Sequence, residues 1–252
     1  MSAKNILLEL EYIGSNYFGF QIQEKSKKGQ DTQATIQGVL EKALARLFRE
    51  KIRVAASGRT DRGVHARAQT VNFKVITKIP LPNIKTALNT FLPPDIRVKK
   101  VKKVPDDFHA RFSVKSKIYR YIIFQHREGS VFWKNFAWHL SMPLDLERMK
   151  KAAKRLVGKK DFALFAKEAK SYKDCKRRVK DISIRKRANL ISIDIEAEGF
   201  LRSMARNMVS FLVRTANGNI PIKDIPFIFK RKTPYVDKPA PPQGLYLYKV
   251  KY

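Results

Sequence analysis

The stretch of this sequence best equipped for chemistry is Ser57-Gly58-Arg59-Thr60-Asp61-Arg62-Gly63-Val64-His65-Ala66. One carboxylate, Asp61, stands between Arg59 and Arg62, and glycines bound the group on both sides. A carboxylate held at a fixed place among cations can act as nucleophile, general base or metal ligand. The Arg59 and Arg62 guanidinium groups, if close in space, would favour its ionised form. The commoner fate of an Asp in a glycine-bounded loop is a turn residue. A phosphate-gripping loop is excluded, because Val64 and His65 follow Gly63 where Lys and Ser or Thr are needed. The histidines, at 65, 109, 126 and 139, are scattered, and Cys175 is the only cysteine. Neither a dedicated zinc site nor a disulfide within the chain is expected.

A loop of this kind needs rigid elements on both sides, and the flanking runs read as strands. Arg53 to Ala56 leads in, and Thr70 to Val75 leads out with apolar side chains at 71, 73 and 75. Upstream, Ile6, Leu8, Leu10 and Tyr12 alternate with Glu9 and Glu11, giving a first strand that Gly14 ends. Thr35 is placed to cap a helix whose apolar stripe is 36, 39, 40, 43, 44, 47 and 48. A short helix over Pro82 to Phe91 breaks at Pro93-Pro94, and a strand over Asp95 to Val104 follows, edged with Lys99, Lys100, Lys102 and Lys103.

Beyond a hinge expected at Phe108, Lys117 to Phe124 is apolar on both faces, as in mid-sheet. An amphipathic helix starts at Asp145, with Leu146, Met149, Ala152, Ala153 and Leu156 as its stripe. Strands are predicted over 179–187 and 190–196. Phe200 opens a long helix with apolar positions 201, 204, 205, 208, 209, 212 and 213. A strand-helix-strand-strand order therefore occurs before Phe108 and again after it. That fits an N-terminal half over 1–107, carrying the Asp61 loop, and a C-terminal half over 108–252.

The charge narrows the partner. Fifty-three Lys and Arg against 22 Asp and Glu leave +31 over 252 residues, while 44% hydrophobic content is that of a globular chain. Such a chain gains affinity for a polyanion by releasing condensed counterions, which favours nucleic acid over an acidic protein. The stretch from Lys167 to Arg187 is the most basic, with Glu168, Asp174 and Asp181 alone opposing its cations. No signal-type segment opens the sequence, and no apolar run reaches the roughly 20 residues needed to span a bilayer, so a cytoplasmic protein is expected.

Gly58 to Ala66, GRTDRGVHA, closely resembles the GRTDxGVHA motif of the TruA family of tRNA pseudouridine synthases. Further matches follow in the same order along nearly the whole chain. Tyr17 to Gln21 resembles the family's YxGWQ segment with Phe20 for Trp, and Thr35-Ile36-Gln37-Gly38 resembles SVQGxLE. Leu92 to Ile96 resembles LPxDI, Phe108 to Phe112 reads FHARF, and Tyr119-Arg120-Tyr121 reads YRY. Gly158 to Phe162 resembles GxHDF with Lys160 for His, and Phe200 to Asn207 resembles FLHxMVRN with Arg202 for His. Pro241 to Leu247 matches APxxGLYL. The segment around Lys230-Arg231-Lys232-Thr233-Pro234 departs from the family.

The resemblance implies an α+β fold of two related, RRM-like halves about a pseudo-twofold, with one mixed, mainly antiparallel sheet flanked by helices and a central RNA-binding cleft. It implies isomerisation of uridine to pseudouridine at positions 38, 39 or 40 of the tRNA anticodon arm, on a flipped-out base. Asp61 would be the nucleophile and Arg206 its partner. Arg59 would add positive potential, Tyr119 would stack on the base, and Leu245 would wall the uracil pocket. No cofactor or metal is implied, and the partners are tRNA and a second copy in a homodimer. Two alternatives stay open: another RNA target for the same chemistry, and a non-catalytic RNA-binding protein of the same fold.

Overall fold

The computed structural model describes residues 2–22, 34–230 and 238–252. The basic run Lys25 to Gly29, expected from sequence to be a loop, and most of the divergent segment from Lys230 to Lys238 lie outside them. The fold is α+β, with a mixed, mainly antiparallel sheet and, among the described residues, five flanking α-helices. The chain divides into two compact units, Met1–Lys115 together with Leu247–Tyr252, and Ser116–Tyr246.

The first unit runs β1 (Lys4–Tyr12), α1 (Ile36–Phe48), β2 (Ala55–Ala56), β3 (His65–Val75), α2 (Leu81–Phe91) and β4 (Ile96–Val104). β1 lies between β3 and β4, antiparallel to both, and β2 pairs with β3. The alternation in β1 does its expected work: Ile6, Leu8 and Leu10 are fully buried. On the other face Glu9 and Glu11 meet Lys100 and Lys99 of β4 at 2.9 and 3.0 Å. Partly exposed pairs of this kind contribute at most about 1 kcal/mol each, so the apolar face supplies most of the stability. α1 lays Ile36, Leu40 and Leu44 into that core. Thr35 caps it through Oγ1, which accepts from the Gly38 N–H at 3.2 Å. α2 ends at Phe91, ahead of the Pro93-Pro94 break.

The second unit runs β5 (Ser116–Gln125), β6 (Trp138–Leu140), α3 (Leu146–Leu156), β7 (Gly158–Asp161), β8 (Lys176–Arg187), β9 (Leu190–Ala197), α4 (Met204–Ala216) and α5 (Ile225–Phe229). The last strand, β10 (Leu245–Lys251), begins in this unit, and its residues from Leu247 belong to the first. The strands β5, β9, β8 and β7 pair antiparallel in that order, while β6 runs parallel to β5. Asp145 caps α3 by accepting from the Arg148 N–H at 2.8 Å. Phe162, Phe165, Phe211 and Phe229 form an aromatic cluster, with ring centroids 5.5–6.0 Å apart in the contacting pairs.

Two expectations need correction. The long helix starts at Met204 and not at Phe200, because Ser203 sits at φ 60°, a left-handed conformation no helical turn contains. It is also not a one-stripe helix, since all of its residues except Arg206 and Arg214 are buried. The lead-in strand shrinks to Ala55–Ala56, and β3 instead begins at His65, directly after the Asp61 loop.

Candidate active site

The loop from Ser57 to Val64 is built from the backbone outward. Its stem is closed by the Ser57 N–H donating to the Thr70 carbonyl at 2.8 Å. Gln69, fully buried, reaches across the loop: it accepts from the Ser57 hydroxyl at 2.7 Å and donates to the Gly58 carbonyl at 2.8 Å. At the tip the Val64 N–H donates to the Asp61 carbonyl at 3.1 Å, closing a four-residue turn. Gly63, at φ 78°, supplies the left-handed residue that this turn demands.

A second segment clamps the tip. The Phe20 N–H donates to the Thr60 carbonyl at 3.0 Å, and Gly19 lies so close that a Cβ there would stand 2.8 Å from that oxygen. The Tyr12 and Thr60 hydroxyls are hydrogen-bonded at 2.8 Å. Burial pushes the Tyr12 phenol up to about 12, so it stays protonated at neutral pH. The Gly14 N–H donates to His65 Nδ1 at 3.0 Å, and a Cβ on Gly14 would meet the Val64 carbonyl at 2.0 Å. Tyr17 in turn donates to Asp95 at 2.6 Å, tying the LPPDI element into the same assembly.

Within this frame Thr60 and Val64 are buried and Asp61 is half-buried. Arg59 is exposed, and Arg62 lies with its guanidinium carbon 3.9 Å from the Phe18 ring centroid, a cation–π contact. The result is a partly open carboxylate on a backbone held from two sides. That is what a nucleophile or base requires.

The other expected residues lie in the second unit. Tyr119 sits on β5, 8% exposed, its ring edge-on to Phe200 at 4.8 Å. Next to it Arg120 makes a bidentate pair with Asp194 of β9, both contacts at 2.6 Å, and the two residues are register partners. Arg206 lies in the first turn of α4, half-buried, with Nε donating to the Ala240 carbonyl at 2.6 Å. Ala240 returns a bond from its N–H to the Arg206 carbonyl at 3.3 Å. Leu245 is 5% exposed at the start of β10. Ahead of it, the Tyr121 hydroxyl donates to the Pro241 carbonyl at 2.8 Å, and a Cβ on Gly244 would lie 2.6 Å from the Tyr121 ring. Tyr121 thus shapes the segment that presents Leu245. Burial raises its phenol far above the ordinary value, against the opposing pull of the Arg206 charge.

The sequence pattern that defines the tRNA pseudouridine synthase family matches residues 10–113 and 152–252, a span that takes in the Asp61 loop, Arg206 and Leu245. The chain belongs to this family. A Thermoanaerobacter protein (strain X514) named tRNA pseudouridine synthase A is 41% identical over 250 residues, 99% of this chain and 100% of the relative. Proteins of the same name from Thermosipho africanus and Oceanobacillus iheyensis are 41% and 39% identical, the first over 99% of this chain and 100% of its own length, the second over 96% and 94%. Family membership makes the chain an isomerase acting on tRNA. Among the described residues, no cluster of His, Cys, Asp or Glu is arranged to hold a metal ion, and no helix is long and apolar enough to cross a membrane.

Sequence reasoning passed over the residues that hold the Asp61 loop in the first unit, Tyr12, Gly14, Gly19, Thr60 and Gln69, and those that shape the segment before Leu245 in the second, Tyr121 and Gly244. Gly14 and Gly19 were visible as glycines, but what each approaches lies more than 40 residues away. No local pattern shows such a contact.

Proposed function

We propose that this enzyme converts uridine to pseudouridine in the anticodon arm of cytoplasmic tRNA, at position 38, 39 or 40, with Asp61 as the nucleophile. The reaction breaks the C1′–N1 glycosidic bond, turns the uracil, and forms a C1′–C5 bond. The proton lost from C5 balances the one gained at N1, so neither redox partner nor energy source enters. Attack by a carboxylate would hold the sugar or base covalently while the uracil turns, and release of the carboxylate would end the cycle. The observation behind this reading is the clamped Thr60-Asp61 turn, which fixes the backbone of a half-buried carboxylate from both sides.

The roles given to Arg59, Tyr119, Arg206 and Leu245 by resemblance belong to the same proposal, as does a homodimer. Supporting Tyr119 is its position as a buried aromatic already in edge-to-face contact. Supporting Arg206 is a backbone anchor that restricts where its guanidinium can point. A uridine inside a stem must leave the stack to meet a protein carboxylate, at a cost of a few kcal/mol that stacking and pocket contacts offset.

Carbodiimide mapping of pseudouridine on unmodified tRNA, incubated with wild type or with Asp61→Ala, tests the proposal. Reverse-transcription stops confined to positions 38–40 and lost in the variant are expected, with tRNA binding retained. Stops elsewhere would move the target while keeping the chemistry. Binding without any stops would make the chain a non-catalytic RNA binder and overturn the proposal.

A further inference from the structure

Phe108 to Phe112 is the one strong motif to which the proposed chemistry gives no task. Its first three residues are fixed in the first unit. The Phe108 ring packs on Tyr252 with centroids 4.9 Å apart. The Phe108 carbonyl accepts from the side chains of Asn5 and Asn72, at 2.9 and 3.3 Å. Ala110, fully buried, donates its N–H to Asn72 Oδ1 at 2.8 Å, and its carbonyl accepts from the Tyr252 hydroxyl at 3.0 Å. The turn then closes on itself. The His109 carbonyl accepts from the N–H groups of Phe112 and Ser113, and His109 Nδ1 accepts from that of Arg111.

All this ordering ends in an aromatic ring directed at solvent. Phe112 is 75% exposed. The His109 ring lies 4.4 Å from it, and the exposed Arg111 brings its guanidinium carbon to 5.6 Å from the ring centroid. A single exposed apolar side chain is ordinary on a protein surface. What sets Phe112 apart is the hydrogen-bonded turn beneath it and the His109 ring and Arg111 guanidinium beside it. Two kinds of partner use such a ring, and the neighbours separate them. A second copy of this chain, meeting the same face, would bring Arg111 against Arg111 in a chain of net charge +31. An unpaired nucleotide has a π-face for the ring and a phosphate for the arginine.

We infer that the His109-Arg111-Phe112 turn is an RNA-docking platform, on which Phe112 stacks with an unpaired base while Arg111 meets the adjoining phosphate. The platform rests on the reading of tRNA as substrate and adds to it a contact outside the reacting group. Stacking tolerates any base, so the platform contributes affinity and orientation rather than base identity.

Fluorescence anisotropy of labelled unmodified tRNA, titrated across a salt series with wild type, Phe112→Ala, Phe112→Tyr and Arg111→Gln, provides the test. Phe112→Ala is expected to raise Kd by about 5- to 140-fold, the range that corresponds to losing one base–aromatic stack. It should leave the slope of log Kd against log salt unchanged, and Phe112→Tyr, which keeps the ring, should restore affinity. Arg111→Gln should flatten the slope, the mark of a lost phosphate contact. Wild-type affinity in Phe112→Ala overturns the inference. So does a variant that keeps its affinity but sediments as a smaller species, which would make the face a contact between copies. Pseudouridine mapping on the same proteins keeps the two readings apart. Binding that depends on Phe112 without product refutes the proposed reaction alone, and normal product with unaltered affinity in Phe112→Ala refutes the platform alone.

Discussion

Thr60, one residue before the carboxylate, does much of the work of placing it. Its carbonyl accepts from Phe20 and its hydroxyl bonds Tyr12, so the backbone on the N-terminal side of Asp61 has little freedom. Tyr12→Phe leaves the buried Thr60 hydroxyl without that partner and should cost about 1–3 kcal/mol of stability. Differential scanning calorimetry would register it as a lowered Tm, and single-turnover kinetics as a slower reaction with tRNA affinity intact. Gly14→Ala should be worse. Its Cβ would stand 2.0 Å from the Val64 carbonyl, and backbone on both sides must move to make room. Overpacking of this kind costs roughly 3 kcal/mol or more. A lowered thermal midpoint by circular dichroism, together with loss of pseudouridine product, is the expected result.

At the scale of elements, α1 offers the cleanest test because both of its ends are unambiguous. Its N-cap is the Thr35 hydroxyl on the Gly38 N–H, and its C-cap, Arg49, sits at φ 57°. Thr35→Ala should cost about 1 kcal/mol through the lost cap. Arg49→Gly should stabilise by about 1 kcal/mol, since glycine adopts the left-handed cap without the penalty a Cβ brings. Urea denaturation of the two variants would show midpoints displaced in opposite directions. Between β5 and β9, the Arg120–Asp194 pair is partly buried and bidentate, which sets it apart from the looser surface pairs. Asp194→Asn would leave a half-buried guanidinium short of its charge partner and should destabilise more than loss of Glu147 from its exposed pair with Lys150.

For the whole molecule, charge and burial make separate predictions. With +31 on 252 residues, tRNA affinity should fall linearly on a log–log plot against salt. A footprint of 6–10 phosphates would lose about 10³-fold or more between 50 and 200 mM. At the alkaline end the phenols of Tyr12 and Tyr252 are held up to about 12, chiefly by burial. A raised value in the folded state means that the unfolded chain loses its proton first as pH rises. The stability these groups contribute is therefore complete below pH 10 and disappears between pH 10 and 12. Through these tyrosines Tm, read from thermal melts, should not change with pH between about 7 and 9 and should fall steeply above about 10, with a shallower fall in Tyr252→Phe.

The alternation of Ile6, Leu8, Leu10 and Tyr12, the Thr35 cap and the Pro93-Pro94 break determine their elements locally, because period and capping act over a few residues. The run around Asp61 likewise stood out by its residue types alone, and the basic composition agrees with a polyanionic substrate. What tertiary structure decided is the support. Tyr12 meets Thr60 across 48 residues, Gln69 closes the loop from within β3, and Asn72 holds the Phe108–Phe112 turn. Local sequence also misplaced the start of α4, since the left-handed Ser203 leaves no trace in the hydrophobic spacing. Periodicity reports which face of an element is apolar. It cannot report which distant backbone that face, or a single glycine, will be pressed against, and here those distant contacts are what turn a glycine-bounded Asp into a fixed carboxylate.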